Sequence, residues 1–506
     1  MIVKVKSGSY FGIEPFLVEV EVDISRGLPI FNIVGLGDTA ILESKERIKT
    51  GMRNSGYEMF IGRITVNLTP ANVKKIGTHF DLPITVGIMC GQRLFNYKDE
   101  ILENYLFMGE ISLNGDLRRT QGIVNGAILA RELGYKGIVI PYDNRKEGSL
   151  IKGIDVVVAK NLKDVEKFLT TGEFENIEKF IEKPEEKIFV DEELDFYQVK
   201  GQEKAKRALE ICAGGGHNLL MVGTPGCGKT MLAKRIMSIL PPLEESEEIE
   251  LTKLYSIAGK LSEKEPIITK RPFRAPHHTS SGVAIIGGGR NPTLGEISLA
   301  NRGVLFLDEI VEFKKDILEN LREPLEEKKI SITRAGYRVE FPCEFIMISA
   351  CNPCKCGMYF EKDGLCSCTP TEVAKYMRKL SGPILDRIDL KIEMTRLNEE
   401  ELLGDSPREH SVDIRKRVIK AREIQRKRFK NNKLNSSMTR TDLEKYAKLD
   451  ENSKIIMKNA IKNLNLSARA FDRILKVART IADLAESKNI ETEHLLEAIS
   501  YRITEK

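Results

Sequence analysis

Gly223-Thr224-Pro225-Gly226-Cys227-Gly228-Lys229-Thr230 fits G-x-x-x-x-G-K-[ST], the pattern of a phosphate-binding loop. An apolar run at 218–222 precedes it and predicts a buried strand, and helical apolar spacing follows at 231–240. Glycines let backbone N–H groups turn towards phosphate oxygens, and the start of a helix favours anions. In this pattern Lys229 reaches the β- and γ-phosphates of a nucleotide, and the Thr230 hydroxyl ligates Mg²⁺. A glycine-rich turn without a ligand is the alternative, but it does not explain the flanking strand and helix.

The composition is that of a soluble protein with several domains. The 506 residues are 41% hydrophobic and 30% charged, and a net charge of +5 is too small to indicate a partner. No stretch approaches the roughly 18 apolar residues of a membrane span, and residues 1–12 lack the apolar core of a secretory signal. Nine cysteines, five of them between Cys351 and Cys368, favour a reducing compartment over a disulfide framework. We therefore expect a cytoplasmic protein with no membrane partner.

Hydrophobic periodicity predicts two α/β domains and one helical domain. The predicted boundaries are an α/β domain at 1–171, an acidic linker at 172–196, a second α/β domain at 197–396 and a helical domain at 397–506. In the first domain the pattern predicts strands at 17–24, 30–34, 61–68, 106–113, 137–140 and 155–158. It predicts helices at 39–53, 82–90, 122–133 and 162–169.

Further motifs downstream of the loop suit nucleotide hydrolysis. The apolar run 304–307 ends in Asp308, which is predicted to hold Mg²⁺, and Glu309, which is predicted to orient and polarise the attacking water. A second apolar run at 345–350 leads to Asn352, whose amide can orient water near the γ-phosphate without adding charge. An acidic turn after a core strand is the alternative for the two carboxylates, and the phosphate-binding loop upstream disfavours it.

Two arginines complete this set. Arg387 is predicted to act as a finger that stabilises transition-state charge on the nucleotide of a neighbouring subunit. Arg469 is predicted to contact the γ-phosphate from the helical domain. The alternatives are an ion pair with Asp386 or Asp389 for the first arginine, and an ordinary surface position for the second.

This set of motifs, in this order, resembles the AAA+ ATPases. The likeness assigns Walker A to 223–230, Walker B to 304–309, sensor 1 to Asn352 and sensor 2 to Arg469. The 79 positions (308 − 229) between Lys229 and Asp308 leave room for an insert. The segment 271–289, which begins RPFRAPHHTSS, resembles the helix-2 insertion of the magnesium-chelatase branch and by that likeness faces the central pore of a ring.

Nearly the whole chain resembles the YifB/ComM family of magnesium-chelatase-like ATPases. The stretches that carry the resemblance are 31–36 (FNIVGL), 273–281 (FRAPHHTSS), 295–300 (GEISLA) and 466–479 (LSARAFDRILKVAR). It implies a multidomain α/β protein with a Lon-protease-like N-terminal domain, a P-loop AAA+ α/β/α core and an all-helical C-terminal lid. It also implies ATP and Mg²⁺ as cofactors, and DNA, single-stranded or branched, as the substrate.

The N-terminal domain is similar to the proteolytic domain of the Lon family in the stretches 109–115 and 137–144. Lon-type proteolysis uses a serine nucleophile that a lysine activates. By this likeness the serine position holds His79 and the lysine position falls near Val124. Because neither residue can perform that chemistry, we expect a catalytically silent domain.

Two cysteine pairs and a histidine pair are the other candidate metal ligands. Four thiolates on a hairpin can close a tetrahedral Zn²⁺ site, and reduced thiols without a metal are the alternative. For His277-His278 we expect a polar role in the insert, because side chains of adjacent residues diverge. The predicted zinc ligands are Cys354, Cys356, Cys366 and Cys368.

A strongly basic segment spans 415–433. One interpretation is contact with a nucleic-acid backbone without base reading, and the other is a solvated helix face. Its single acidic residue is Glu423. Its ten basic residues are Arg415, Lys416, Arg417, Lys420, Arg422, Arg426, Lys427, Arg428, Lys430 and Lys433.

The motifs and the resemblance together predict an ATP-hydrolysing ring, a hexamer, that acts on DNA in branch migration during recombination. The DNA substrate rests on the family resemblance, and the basic segment only permits it. One alternative is a magnesium-chelatase-type motor subunit that remodels a protein partner. A nucleotide-gated protease is a further alternative, which His79 and Val124 disfavour.

Overall fold

The computed structural model describes residues 2–175, 194–289, 293–334, 337–361, 365–380, 382–397, 408–430 and 432–502. Most of the predicted acidic linker, 176–193, lies outside these ranges. The chain divides into two compact units. The first contains Met1–Glu186 and Glu244–Thr269, and the second contains Lys187–Leu243 and Lys270–Lys506.

The first unit is an α/β structure around a seven-stranded sheet of order β3-β4-β2-β1-β5-β8-β9. The strands of the unit, of which all but β6 and β7 belong to this sheet, are β1 (Ile2–Phe11), β2 (Glu14–Ser25), β3 (Ile30–Val34), β4 (Arg63–Thr69), β5 (Tyr105–Phe107), β6 (Glu110–Ile111), β7 (Leu117–Arg118), β8 (Gly137–Pro141) and β9 (Asp155–Ala159). Its helices are α1 (Thr39–Asn54), α2 (Asp81–Gly91), α3 (Asp99–Asn104), α4 (Ile123–Glu132), α5 (Arg145–Gly148), α6 (Leu162–Thr171) and α9 (Glu245–Ile257).

The burial pattern of β2 shows the alternation from which the strand was predicted. Val18, Val20 and Val22 on β2 are fully buried, while the residues between them are partly exposed. The predicted helices correspond to α1, α2, α4 and α6, and the predicted strand at 106–113 is instead divided into β5 and β6. The sequence analysis did not predict β1, which pairs with β2 on one side and with β5 on the other.

One segment of the first unit comes from far along the chain. Helix α9 lies within the stretch predicted to belong to the second α/β domain, yet it is part of the first unit. The Ser256 hydroxyl accepts a hydrogen bond from the Gly122 N–H at 3.0 Å and donates one to Glu147 at 3.2 Å. Periodicity did not predict this position, because it depends on contacts between residues more than 100 positions apart.

The second unit is built on a five-stranded parallel sheet of order β11-β14-β17-β10-β18. Its strands are β10 (Leu219–Gly223), β11 (Phe273–Arg274), β12 (Gly287–Gly288), β13 (Thr293–Leu294), β14 (Val304–Leu307), β15 (Lys329–Arg334), β16 (Tyr337–Pro342), β17 (Ile346–Cys351) and β18 (Leu390–Met394). The helices of this unit that precede β18 in the chain are α7 (Glu203–Gly215), α8 (Lys229–Ile239), α10 (Gly282–Ile286), α11 (Glu296–Leu299), α12 (Lys315–Asn320), α13 (Arg322–Glu327), α14 (Pro370–Met377) and α15 (Gly382–Leu385).

The C-terminal region of the second unit is helical, as predicted. Its apolar side chains belong to the same hydrophobic core as the five-stranded sheet: Ile414, Val418 and Ile481 join Leu219, Ile348 and Ile392. Its helices are α16 (Ser411–Phe429), α17 (Arg440–Tyr446), α18 (Glu451–Leu464), α19 (Ala468–Leu484) and α20 (Thr492–Ser500). In the ranges that the structure describes, no helix has both the length and the apolar content to cross a bilayer.

A buried polar cluster joins the sheet to helix α19. Asp389, just before β18, contacts His217 and receives an ion pair from Arg473, while His217 Nε2 lies 2.7 Å from the Thr480 hydroxyl. Burial opposes the charge of Asp389, but Arg473 and hydrogen bonds from His217 and Asn218 outweigh it and hold the pKa of Asp389 well below its usual range. This charge network fixes the helical region to the sheet.

Candidate functional site

The phosphate-binding loop connects β10 to α8, as the sequence predicts. Gly226 and Gly228 have φ of +83° and +91°, the left-handed region that favours glycine. A Cβ on Gly226 would meet no atom within 4 Å, so it is the backbone conformation and not a lack of space that favours glycine there. Gly228 caps α8 without a side chain, which leaves the first-turn N–H groups available to an anion.

The side chains of this loop are suited to binding the phosphates of a nucleoside triphosphate. The Thr224 hydroxyl is buried and has no hydrogen-bond partner among the described residues. Lys229 Nζ donates to the carbonyls of Gly223 at 2.6 Å and Thr224 at 3.0 Å, so its cation lies against the loop. Burial raises the pKa of the Cys227 thiol, and Lys229 opposes that effect.

The two predicted Mg²⁺ ligands, Thr230 and Asp308, meet where β10 and β14 end. Since the carboxyl ends of parallel strands lie at one edge of a sheet, Thr230 and Asp308 are close although 78 positions separate them. The Thr230 hydroxyl donates to Asp308 Oδ2 at 2.8 Å. A hydroxyl and a carboxylate at hydrogen-bond distance match the oxygen ligands that Mg²⁺ takes beside nucleotide phosphates.

Asn352 follows β17, the strand between β10 and β14. Its Oδ1 accepts a hydrogen bond from Lys229 Nζ at 3.3 Å. The structure therefore brings the predicted sensor amide to the predicted phosphate-binding lysine. The contacts of Thr230 with Asp308 and of Lys229 with Asn352 bring the start of α8 next to the residues that follow β14 and β17.

Glu309 has an unusual backbone and an unpredicted neighbour. Its φ of +50° lies in the left-handed region, a conformation that costs a non-glycine residue about 1–2 kcal/mol. Its N–H donates to Asp308 Oδ1 at 3.0 Å, and its half-exposed carboxylate lies 3.5 Å from His278 Nδ1. Sequence reasoning treated His278 as a polar residue of the insert and missed this contact, because nothing in the spacing of the two motifs indicates it.

The insert at 271–289 contains a histidine pair and exposed small residues. The His277 and His278 rings lie 4.2 Å apart, and His277 Nδ1 is 2.8 Å from the Thr279 hydroxyl. The pair belongs to no group of three or more possible metal ligands in the described part of the chain. Val283, on the short helix α10, is 49% exposed.

The two predicted arginines differ in environment. Arg387 is buried, forms an ion pair with Glu326 and donates to the Pro383 carbonyl at 2.6 Å. Its contacts are therefore within its own chain, although they do not involve Asp386 or Asp389. Arg469 is exposed in the first turn of α19, and no hydrogen bond or ion pair holds it among the described residues.

The four predicted zinc ligands are close together. Their sulfur atoms all lie within 4.8 Å of one another, and three of the pairwise distances are 3.3, 3.5 and 3.7 Å. All nine cysteines are free thiols. The Met358 N–H and the Cys354 thiol lower the pKa of Cys356 to about 6, so a thiolate forms readily there.

The basic segment is mainly structural. In α16, Arg422 donates to the Ala213 carbonyl at 2.8 Å, Arg417 pairs with Glu210 at 2.6 Å, and Arg428 pairs with Asp483 at 2.5 Å. Arg415, Lys416, Lys420 and Lys433 also contact groups of this chain. These contacts are intramolecular and disfavour both a continuous phosphate-binding face and a fully solvated helix face, the two interpretations of the sequence.

The N-terminal unit buries both residues at the predicted protease positions. His79 is 1% exposed beside the rings of Tyr10 and Phe80, and Val124 is fully buried in α4. Burial lowers the pKa of His79 from 6.5 to about 4. A buried neutral imidazole and a buried valine offer no serine–lysine pair.

The fold and site define a P-loop protein of the AAA+ class, and comparison with known proteins specifies it further. Three family models match: "Magnesium chelatase, subunit ChlI" at 195–402, "Subunit ChlI of Mg-chelatase" at 20–144 and "Magnesium chelatase, subunit ChlI C-terminal" at 408–502. The chain is 40% identical over 493 residues to Uncharacterized protein YifB of Escherichia coli, covering 97% of this chain and 94% of that protein. It is 39% identical over 501 residues to Competence protein ComM of Haemophilus influenzae, covering 98% and 97%.

The chain therefore belongs to the YifB/ComM family of magnesium-chelatase-like AAA+ proteins, which confirms the resemblance found in the sequence. It is also 26% identical over 153 residues to Lon protease 2 of Bacillus subtilis, which covers 29% of this chain and 27% of that protein. This partial likeness accords with the Lon-like features of the sequence.

Proposed function

We propose that the protein is an ATP-hydrolysing ring motor that acts on single-stranded or branched DNA. The observation that carries the ATPase part is the meeting of the three motifs at one sheet edge. Thr230 contacts Asp308 at 2.8 Å and Lys229 contacts Asn352 at 3.3 Å, so phosphate, metal and water ligands converge. The other residues of the phosphate-binding loop, from Gly223 to Gly228, surround the phosphates, and all of them except Pro225, which has no N–H, can offer backbone N–H groups.

Each residue has a role in this proposal. Bound ATP–Mg²⁺ supplies the phosphoanhydride bond and the metal charge that stabilises the transferring phosphoryl group. Lys229 exchanges its loop carbonyls for phosphate oxygens, and Thr230 and Asp308 hold the metal. Glu309 accepts a proton from the attacking water while Asn352 orients that water.

Arg387 and Arg469 are proposed to link hydrolysis to assembly. In a hexameric ring, Arg387 leaves Glu326 and stabilises charge on the nucleotide of the adjacent subunit. Arg469, exposed at the start of α19, contacts the γ-phosphate from the lid. In the same proposal, residues 1–171 are a catalytically silent Lon-like scaffold, 172–196 are a linker, 197–396 are the ATPase core except for Glu244–Thr269, which belongs to the first unit, and 397–506 are the lid.

The proposed substrate is DNA, and the proposed process is branch migration during recombination in the cytoplasm. Both proposals rest on membership in a family that includes a competence protein. Because many cations of α16 are engaged within the chain, the proposed DNA contact is the insert at 271–289. The contact between His278 and Glu309 joins that insert to the hydrolytic carboxylate.

An ATPase assay with three DNA forms tests the proposal. Single-stranded, duplex and four-way DNA are added separately to the full-length protein, and phosphate release is followed at rising salt. We expect stimulation by single-stranded or four-way DNA that falls as salt rises, and no turnover by Glu309→Gln. Turnover that ignores every DNA form refutes the DNA motor and favours the magnesium-chelatase-type alternative, in which a protein partner is remodelled.

A further inference from the structure

The cysteine cluster lies directly beside the phosphate-binding loop. Cys354 follows Asn352 by two residues, and the chain turns at Gly357, whose N–H donates to the Cys354 carbonyl at 3.1 Å. A Cβ at Gly357 comes within 2.7 Å of the Pro225 ring, so only glycine allows this approach. The turn between Cys354 and Gly357 therefore packs against the phosphate-binding loop.

A second contact joins the same two segments. Arg396, just after β18, donates to the Pro225 carbonyl at 3.3 Å from Nε, and the same Nε lies 3.9 Å from Glu361. Glu361 lies between the two cysteine pairs. The position of Pro225 thus depends on the cysteine-bearing segment both by direct packing and through Arg396.

The sulfur positions have the dimensions of a tetrahedral zinc site. A Zn–S distance of about 2.3 Å places the corners of a tetrahedron about 3.8 Å apart. The sulfur–sulfur distances of 3.3, 3.5 and 3.7 Å in the structure are close to that value and much longer than a disulfide bond of about 2.05 Å. Each thiol releases its proton on binding, so four thiolates surround the ion.

We propose that Cys354, Cys356, Cys366 and Cys368 bind one structural Zn²⁺, and that this ion holds the Gly357 turn against Pro225 and keeps the phosphate-binding loop in its nucleotide-binding conformation. Without the metal, only weak contacts between thiols hold the cysteine-bearing segment together, so it no longer fixes the position of Pro225. The phosphate-binding loop then loses more conformational entropy when it binds phosphate. The effect on nucleotide affinity rests on the proposed ATPase function, while the metal content does not.

Zinc content and nucleotide affinity are measured on the same preparations of the full chain. Zinc per chain is determined by plasma mass spectrometry after purification without chelators, and affinity by titration with a fluorescent ADP analogue. The variants are the double substitution Cys366→Ser/Cys368→Ser, the matched control Ser367→Ala, which changes the exposed residue between these two cysteines, and Gly357→Ala.

We expect about one zinc in the wild type, in Ser367→Ala and in Gly357→Ala, and none in the double serine variant. Nucleotide binding is expected to weaken about tenfold in the double serine variant and in Gly357→Ala but not in Ser367→Ala. Absence of zinc from the wild type overturns the metal site. Unchanged affinity in Gly357→Ala overturns the bracing role, even if the double serine variant does not fold. A wild type that contains zinc but binds no nucleotide refutes the proposed ATPase function instead.

Discussion

Replacing His79 with leucine should remove an acid-dependent loss of stability from the first unit. His79 is buried beside aromatic rings, and its Nε2 has no hydrogen-bond partner among the described residues. Its pKa is about 4 in the folded unit and 6.5 in an unperturbed chain. Between these values the unfolded chain binds a proton that the folded unit excludes, so this residue destabilises the fold increasingly as pH falls from 6.5 towards 4.

The expected magnitude follows from the two pKa values. They differ by about 2.5, and each unit corresponds to about 1.36 kcal/mol, so the complete loss is about 3 kcal/mol. Between about pH 7.5 and about pH 4.5, about 2.5 kcal/mol of this loss is expressed. The leucine variant has no titrating group here, so its stability lacks this term at both pH values.

A neighbouring carboxyl group makes the comparison of variants necessary. Burial raises the pKa of Asp81 to about 6 although Arg47 opposes the shift. A raised carboxyl pKa gives stability that is present at low pH and is lost as pH rises towards 6, the reverse of the His79 effect. The wild-type pH profile alone therefore mixes two opposed contributions, whereas the difference between wild type and His79→Leu isolates one.

Amide hydrogen exchange followed by mass spectrometry measures this difference. Peptides from β1 and α2 report the free energy of opening of the first unit, after correction for the pH dependence of intrinsic exchange. We expect the difference between wild type and His79→Leu to change by about 2.5 kcal/mol across the pH range. A difference that stays constant with pH means that His79 is not held as a buried neutral imidazole, and the argument fails.

Four further predictions concern the second unit. Glu309→Gln should retain binding of a fluorescent ATP analogue while phosphate release falls at least about 100-fold, because the amide cannot accept a proton. Normal turnover in this variant would show that another group activates the water. His278→Ala should lower kcat about tenfold with unchanged nucleotide affinity, since His278 contacts Glu309, His277 and Phe313, none of which belongs to the phosphate-binding loop, and His277→Ala is the matched control with near-normal kcat. Arg387→Ala should bind nucleotide without hydrolysing it and regain some turnover when mixed with Lys229→Ala; no recovery in the mixture excludes action on a neighbouring subunit. Asp389→Asn should lower the free energy of unfolding by about 3 kcal/mol, because it leaves Arg473 unpaired in a buried network, whereas exposed Asp386→Asn should leave the denaturant midpoint unchanged.

Local patterns predicted most of the elements around the ATPase site. Strands β10, β14 and β17 are short apolar runs, and polar residues follow each of them directly in the sequence. The motifs and the family resemblance assigned Thr230, Asp308 and Asn352 to one site, and the structure shows that their strands are parallel and end at the same sheet edge. The family resemblance supplied their order, and the structure supplied the distances between them.

Contacts between distant segments were not predictable in this way. Strand β1 was missed although it lies inside the sheet, and helix α9 was placed with the wrong part of the chain by its position in the sequence. The basic segment at 415–433 was open to two interpretations because composition does not show where a long cation points. Only the folded chain shows that Arg417, Arg422 and Arg428 satisfy carbonyls and carboxylates of neighbouring elements.

The sequence by itself determined that this protein has the motif of a phosphate-binding loop, an apolar strand followed by two carboxylates, and two cysteine pairs, because each depends on residues that are adjacent or close in the chain. Tertiary structure alone decided that His278 lies beside Glu309 and that the Gly357 turn packs on Pro225. Those contacts join segments 31 and 132 positions apart (309 − 278 and 357 − 225). Pairings over such separations are fixed by burial and packing of the whole core, which no local pattern of residues encodes.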